Sequence, residues 1–167
     1  MKFGLVDSII ELTRGERIVA VKAVSLAEEY LADHFPTFPV LPGVLMLEAL
    51  TETAAWLVRD ALDFTPSVVL LRQAKNVTYK SFVKPGNLLR MEVTCRHLEK
   101  DASEFSGVGF CRDEEVVKAR FSLTHFSVKE GSGGVESPVD QRLVADARAK
   151  FAILYGPAAE RQNLVSR

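Results

Sequence analysis

The sequence predicts a two-layer α+β domain in which an antiparallel sheet with one buried face wraps one long apolar helix. Three observations carry that prediction. The stretch from Gly43 to about Leu62, GVLMLEALTETAAWLVRDAL, is rich in good helix formers, has no proline until Pro66 and is apolar nearly all round in its first half. Strand patterns follow it, with Leu89, Met91, Val93 and Cys95 on one face of one segment and Val117, Ala119, Phe121 and Leu123 on one face of another. Such alternating faces need an apolar cover, and the helix supplies it.

In chain order, Phe3 to Leu12 reads as a short strand or helix, and RIVAVKAVS, Arg17 to Ser25, as a strand after a turn at Gly15. Ser25 to Tyr30 has the pattern of a capped helical turn. Pro36, Pro39 and Pro42 each fix φ and remove a backbone donor, so His34 to Pro42 is predicted to be a stiff extended arm ending at Pro42-Gly43. After the long helix come a strand from Ser67 to Phe82, a turn over Val83 to Asn87, and a strand from Leu88 to His97. A last pair, Phe105 to Arg112 and Val116 to Phe126, is joined by the charged turn RDEE.

The compact domain is expected over residues 1–128, with a Gly- and Ser-rich linker at 129–137 and a helical extension at 138–167. Ser137-Pro138-Val139-Asp140 offers an N-cap, a proline at the first helical position and an acid in the first turn. Leu143, Ala147, Phe151 and Leu154 fall on one face of this amphipathic helix, which is expected to end near Gly156-Pro157. Its polar face mixes charge signs, so it is read as docking on its own domain or a sister subunit rather than on a membrane.

A length of 167 residues with 47% hydrophobic and 26% charged content suits one globular domain with a sizeable core. A net charge of −1 and a pI near 6.3 argue against a nucleic-acid partner, which requires a basic excess. Cys95 and Cys111 lack metal-ligand spacing and read as small core residues, and no metal site is expected. MKFGLVDSII has no long apolar core or small-residue cleavage site, and no run of about 18 apolar residues occurs, so the chain is expected to be cytoplasmic.

The polar residues of the apolar stretch carry the functional signal. His97 and His125 sit in strand contexts that give no sign of chemistry, whereas His34 opens the proline arm that leads to a helix N-terminus, where unpaired N–H groups can polarise an oxygen. Glu48 lies about one and a half turns inside the helix. Buried among Val44, Leu45, Leu47 and Leu50 it is expected to have a raised pKa, as a general acid near neutral pH requires; the alternatives are a structural pairing or a turn to the surface. The prolines forbid a helix common to both residues, so they meet only through tertiary or subunit packing.

The run HFPTFPVLPGVLMLEA matches H-F-P-x-x-P-x-x-P-G-V-L-x-x-E-A at His34, Phe35, Pro36, Pro39, Pro42, Gly43, Val44, Leu45, Glu48 and Ala49 without a gap. It resembles the signature of the 3-hydroxyacyl-acyl carrier protein dehydratases of fatty-acid synthesis, FabZ type. FGLVDSIIEL, IVAVKAVS, TYKSFVKPGNLLRMEV and FSGVGFCRDEEVVKARFSL extend the resemblance to about residues 3–127. It implies a hotdog fold, a homodimer or a trimer of such dimers, no cofactor, and acyl carrier protein as the carrier of the substrate.

Carried over by position, the resemblance implies His34 as the base at C2, Glu48 as the group that helps the C3 hydroxyl leave, Gly43 as the N–H that polarises the thioester carbonyl, and Val40 as a backbone support of His34. Val44 and Glu52 are expected to line the substrate site. The sequence departs from the family where glycine usually precedes the histidine, here Asp33, and where glutamine usually stands four residues after the acid, here Glu52. An anion beside His34 raises its basicity, and Glu52, on the same helical face as Glu48, disfavours ionisation of both. Ala55 and Trp56 alter the bulk nearby, and Asn87 replaces a turn aspartate. Arg72, Lys75, Lys80 and Lys84 are candidates for a basic surface facing an acidic carrier protein. The competing readings are a hotdog thioesterase, which does not need His34 and Glu48 together, and a non-catalytic acyl-binding module.

Overall fold

The computed structural model describes residues 4–35, 37–128 and 137–165. The expected linker, apart from Ser137, lies outside the described residues, as do Pro36 and the side chain of Asp33. Six strands, β1 Ser8–Thr13, β2 Arg17–Ala23, β3 Val68–Tyr79, β4 Leu88–Leu98, β5 Ala102–Cys111 and β6 Glu114–Phe126, form one antiparallel sheet in the order β1-β2-β4-β5-β6-β3. Three helices accompany them: α1 Tyr30–Asp33, α2 Gly43–Ala61 and α3 Pro138–Val165.

Turn chemistry sets the strand registers. Arg112 and Asp113 both have positive φ, +50° and +67°, in a two-residue hairpin that pairs Cys111 with Glu114. Before β4, Asn87 N–H donates to the Lys84 carbonyl at 3.2 Å with Gly86 at φ +83°, a turn that favours glycine. These registers send Leu89, Met91 and Val93 inward from β4 and Val117, Ala119, Phe121 and Leu123 inward from β6, all buried. The predicted faces of both strands hold, with Cys95 half-buried beside a bulge.

Helix α2 contacts β2 through β6, so the sheet curves round it as expected. Met46, Ala49, Leu50, Ala54, Leu57 and Val58 form its buried stripe. The expectation that its first half is buried all round does not hold: Val44 is 69% exposed and Glu48 is exposed, because the sheet covers only one side of the helix within the protomer.

The start of α3 follows its sequence signals. Asp140 N–H donates to Ser137 Oγ at 3.1 Å and Gln141 N–H to the Ser137 carbonyl at 3.1 Å, which satisfies first-turn donors. The buried Asp140 carboxylate accepts from Ser67 Oγ and from Val128 N–H at 2.8 Å, tying the helix to one end of the β3–β6 ladder, where β3 starts and β6 finishes. Downstream, Phe151 packs against Trp56, Phe64 and Tyr155 with ring centroids 6.1, 5.4 and 5.5 Å away, and Leu154 is buried. Docking on its own domain is therefore the outcome for α3. Its predicted end near Gly156-Pro157 is corrected: the helix continues to Val165, since a proline removes one backbone bond and bends a helix without always ending it.

Candidate active site

His34 stands where α1 gives way to the proline arm, with φ −97° and ψ 95°. The next residue, Phe35, has φ +52°, a left-handed conformation that costs a non-glycine residue about 1 kcal/mol. Surrounding bonds hold the arm in place: Phe38 N–H donates to the Phe35 carbonyl at 2.7 Å, and Leu41 N–H to the Val83 carbonyl at 2.8 Å. The Phe38 ring meets Phe82 edge-on at 5.7 Å, and Lys84 Nζ lies 4.7 Å from its centroid. The half-buried His34 ring rests against Phe35, centroids 4.4 Å apart. Val40 is 1% exposed, so its side chain lies in the core.

The arm delivers the chain to the start of α2. Leu45 and Met46 N–H groups donate to the Pro42 carbonyl at 2.9 and 3.1 Å, while the N–H groups of Gly43 and Val44 belong to the first turn, which has no acceptor within its own helix. A Cβ on Gly43 would stand 3.2 Å from Tyr79 Cε1, so the absence of a side chain lets the end of β3 close over the helix start. Burial raises the Tyr79 phenol above its ordinary pKa.

Glu48 projects from the uncovered side of α2. Neighbouring atoms partly desolvate its carboxyl, and that desolvation, with the Glu52 charge second, raises its pKa above the ordinary carboxylate value. The direction expected for a general acid is present, although the residue is exposed rather than buried. Around it the protomer leaves apolar surface open: Val44, Phe35, Phe38, Tyr79 and Phe82, continued along β3 by Leu70 and Leu71.

Glu52 has two partners within the protomer. Its Oε2 accepts from Leu5 N–H at 2.7 Å and its Oε1 lies 2.9 Å from Lys150 Nζ, so within the protomer the carboxylate is held by the N-terminal segment and α3. Sequence reasoning missed both partners, 47 and 98 residues away, and no local pattern marks them. It also missed Tyr79 over Gly43 for the same reason. Of the four expected basic residues, Lys84 stands beside the His34 arm, whereas Lys80 is paired with Glu115 at 2.7 Å. His97 binds Glu99 at 2.8 Å and His125 is buried with Nδ1 2.9 Å from the Lys100 carbonyl, so both have structural places. Among the described contacts of one protomer, none joins the His34 ring to Glu48.

Both the sequence and the fold have relatives among known proteins. A family model described as FabA-like domain matches residues 1–120. The chain belongs to the FabA-like family. This FabA-like chain is 38% identical over 124 residues to a protein named 3-hydroxyacyl-[acyl-carrier-protein] dehydratase FabZ from Granulibacter bethesdensis, covering 72% of each chain. It is 31% identical over 156 residues to a protein of the same name from Geobacillus thermodenitrificans, covering 93% of this chain and 88% of the relative. A match that long includes residues of α3. Among solved structures, the dehydratase heterocomplex ApeI:P from Xenorhabdus doucetiae superposes with a TM-score of 0.60 at 16% identity, covering 73% of this chain and 82% of that one. The PaaI protein of E. coli superposes with a TM-score of 0.53 at 12% identity over 72% and 79%. These likenesses show the fold, and it is the hotdog that the resemblance implied.

Proposed function

We propose that the protein dehydrates (3R)-hydroxyacyl chains carried on acyl carrier protein to trans-2-enoyl chains. The observation that carries this reading is Glu48, a carboxyl held above its ordinary pKa on an uncovered apolar helix face, within reach of the open N-terminus at Gly43. Five residues of helix separate the two, about 7.5 Å along the axis, and a helical side chain points back toward the N-terminus and shortens that span. A thioester whose carbonyl oxygen meets the Gly43 N–H thus places its C3 hydroxyl toward the Glu48 carboxyl.

His34 takes the proton from C2, and the electrons of that C–H bond form the C2–C3 double bond as the C3–O bond breaks. Glu48 gives its proton to the departing hydroxyl, which leaves as water, and the proton held by His34 then restores Glu48. Desolvation favours the protonated form of Glu48, the direction that a proton donor to the leaving hydroxyl needs. The N–H of Gly43 stabilises the enolate-like oxygen without moving.

His34 and Glu48 come from different subunits of a homodimer in this proposal. Its support is the sheet itself: α3 packs against β1 at one edge, while the 12-residue β3 at the other edge has an unpaired side and exposed Leu70 and Leu71. A second copy added there covers the open face of α2 and desolvates Glu48 further. Lys84, beside the arm, faces the acidic carrier protein in this reading.

The test supplies the purified protein with short and long 3-hydroxyacyl carrier-protein thioesters and follows enoyl formation and free thiol separately. His34→Ala and Glu48→Gln are each expected to lower enoyl formation at least about tenfold. Wild-type rates in either variant reject the mechanism, and thiol release without enoyl product identifies hydrolysis instead. Sedimentation of the wild type checks the dimer.

A further inference from the structure

The Glu52 site joins three parts of the chain that the reaction does not itself require to meet. One carboxylate oxygen receives Leu5 N–H from the segment before β1, and the other receives Lys150 Nζ from α3. Lys150 is fixed in turn, with Nζ 5.4 Å from the centroid of the Trp56 ring and so near Gly4 that a Cβ there would stand 3.6 Å from it. Glu52 is 20% exposed at its side chain, so its charge is only partly screened by solvent. It sits four residues after Glu48, one turn along the same face of α2.

We propose that Lys150 is a positioning residue for Glu48: by pinning and offsetting the Glu52 carboxylate, it sets the electrostatic field in which Glu48 holds and releases its proton. The proposal rests on the reading of Glu48 as the acid of the dehydration. A negative Glu52 one turn away opposes ionisation of Glu48, and the same cause contributes to the raised pKa of that carboxyl. A cation 2.9 Å from Glu52 carries the opposite charge and so acts against this opposition, which gives α3 a route to the site through Glu52. The charged groups that face Glu52 are Lys150 from α3 and, on α2, Glu48 and Arg59, the last packed over Trp56 at 5.2 Å.

The sign of each substitution is fixed by these charges. Lys150→Met leaves Glu52 uncompensated and raises the midpoint at which Glu48 ionises, by about 0.15 to 0.35 pH unit for a pair at this helical spacing. Glu52→Gln removes the opposing charge and lowers the midpoint by a similar amount. The double variant removes both charges and returns the midpoint toward wild type, and Lys150→Arg retains it. A purely structural role for α3 does not produce opposite shifts that cancel.

The experiment is a carbon-13 NMR titration of the glutamate side-chain carboxyls in the full chain, with Glu48 assigned by its loss in Glu48→Gln, alongside the pH profile of dehydration. Opposite shifts for Lys150→Met and Glu52→Gln support the proposal. Shifts in the same direction, or a Lys150→Met midpoint within about 0.1 unit of wild type while the variant stays folded, overturn it. If the Lys150→Met chain does not fold, Lys150→Gln gives the same reading. The alkaline limb of the profile separates the two claims: a Glu48 midpoint that moves while the limb stays fixed upholds the control by Lys150 and rejects Glu48 as the acid.

Discussion

The ring of Tyr79 closes over Gly43 so tightly that a Cβ on that glycine would come within 3.2 Å of one ring carbon and 3.3 Å of the next. The contact joins the end of β3 to the start of α2, the point at which the proposed mechanism holds the thioester carbonyl. A methyl group at position 43 forces the half-exposed ring to shift by a few tenths of an ångström, whereas alanine favours the helical backbone by up to about 1 kcal/mol over glycine. Gly43→Ala is therefore expected to leave the melting temperature within about 3 °C of wild type and to lower kcat/KM for dehydration about tenfold. Thermal melts and steady-state rates check this, and combining it with Tyr79→Ala should recover part of the loss.

Glu48 makes the stability of the protein depend on pH in a stated direction. Its folded pKa lies above the unfolded value, chiefly through desolvation, so the folded state binds the extra proton and stability falls as pH rises through that window. Above the window the ionised carboxylate is a continuing cost, which Glu48→Gln removes. The variant is expected to melt about 2 °C higher than wild type at pH 7 and equally at pH 4, a small effect because the group is exposed to solvent. Opposed behaviour of stability and activity in this one variant is the signature of a residue kept for chemistry.

Asp140 has the reverse dependence. Hydrogen bonds from Ser67 first, then from Val128 N–H and from Ser137, hold its carboxyl below the ordinary range. Its contribution is present above the unfolded pKa and is lost as pH falls toward the folded one. Asp140→Asn is expected to lower the melting temperature by several degrees at pH 7, with the gap to wild type narrowing as pH drops below about 4. Protease cleavage within α3, followed by mass spectrometry, should become faster in the variant, since this first-turn residue bonds the Ser137 cap and ties the helix to the sheet.

His125 supplies a third titration, in a different range. The ring is 1% exposed, with Nδ1 2.9 Å from the Lys100 carbonyl, and burial lowers its pKa below the ordinary 6.5. Between the folded and unfolded values the unfolded chain binds the proton and the folded chain does not, so stability is lost as pH falls below 6.5. Melts of wild type and His125→Leu at pH 7.5 and 5.5 are expected to show a smaller acid loss in the variant.

The same residues show what was legible in the sequence. Periodicity identified the inward faces of β4 and β6 because alternation is a local property, and Ser137-Pro138-Val139-Asp140 marked the start of α3 because its capping partners lie within one turn. The contiguous signature from His34 to Ala49 identified the family for a similar reason: its proline spacing and helix start are built from neighbours in the chain. The partners of Glu52 were not legible, because its local environment shows only Glu48 one turn before it, whereas Leu5 and Lys150 come to it from distant segments.

By itself the sequence determined the helix, the strands, the turns and the residue types at the candidate site, since each depends on backbone preferences and side-chain spacing over a few residues. Only the tertiary structure decided that one side of α2 stays uncovered, that Tyr79 closes on Gly43 and that α3 reaches Glu52. Those outcomes depend on how a curved sheet of limited width wraps a cylinder and on which distant segments occupy the rest of its surface, and no window of local sequence contains that information.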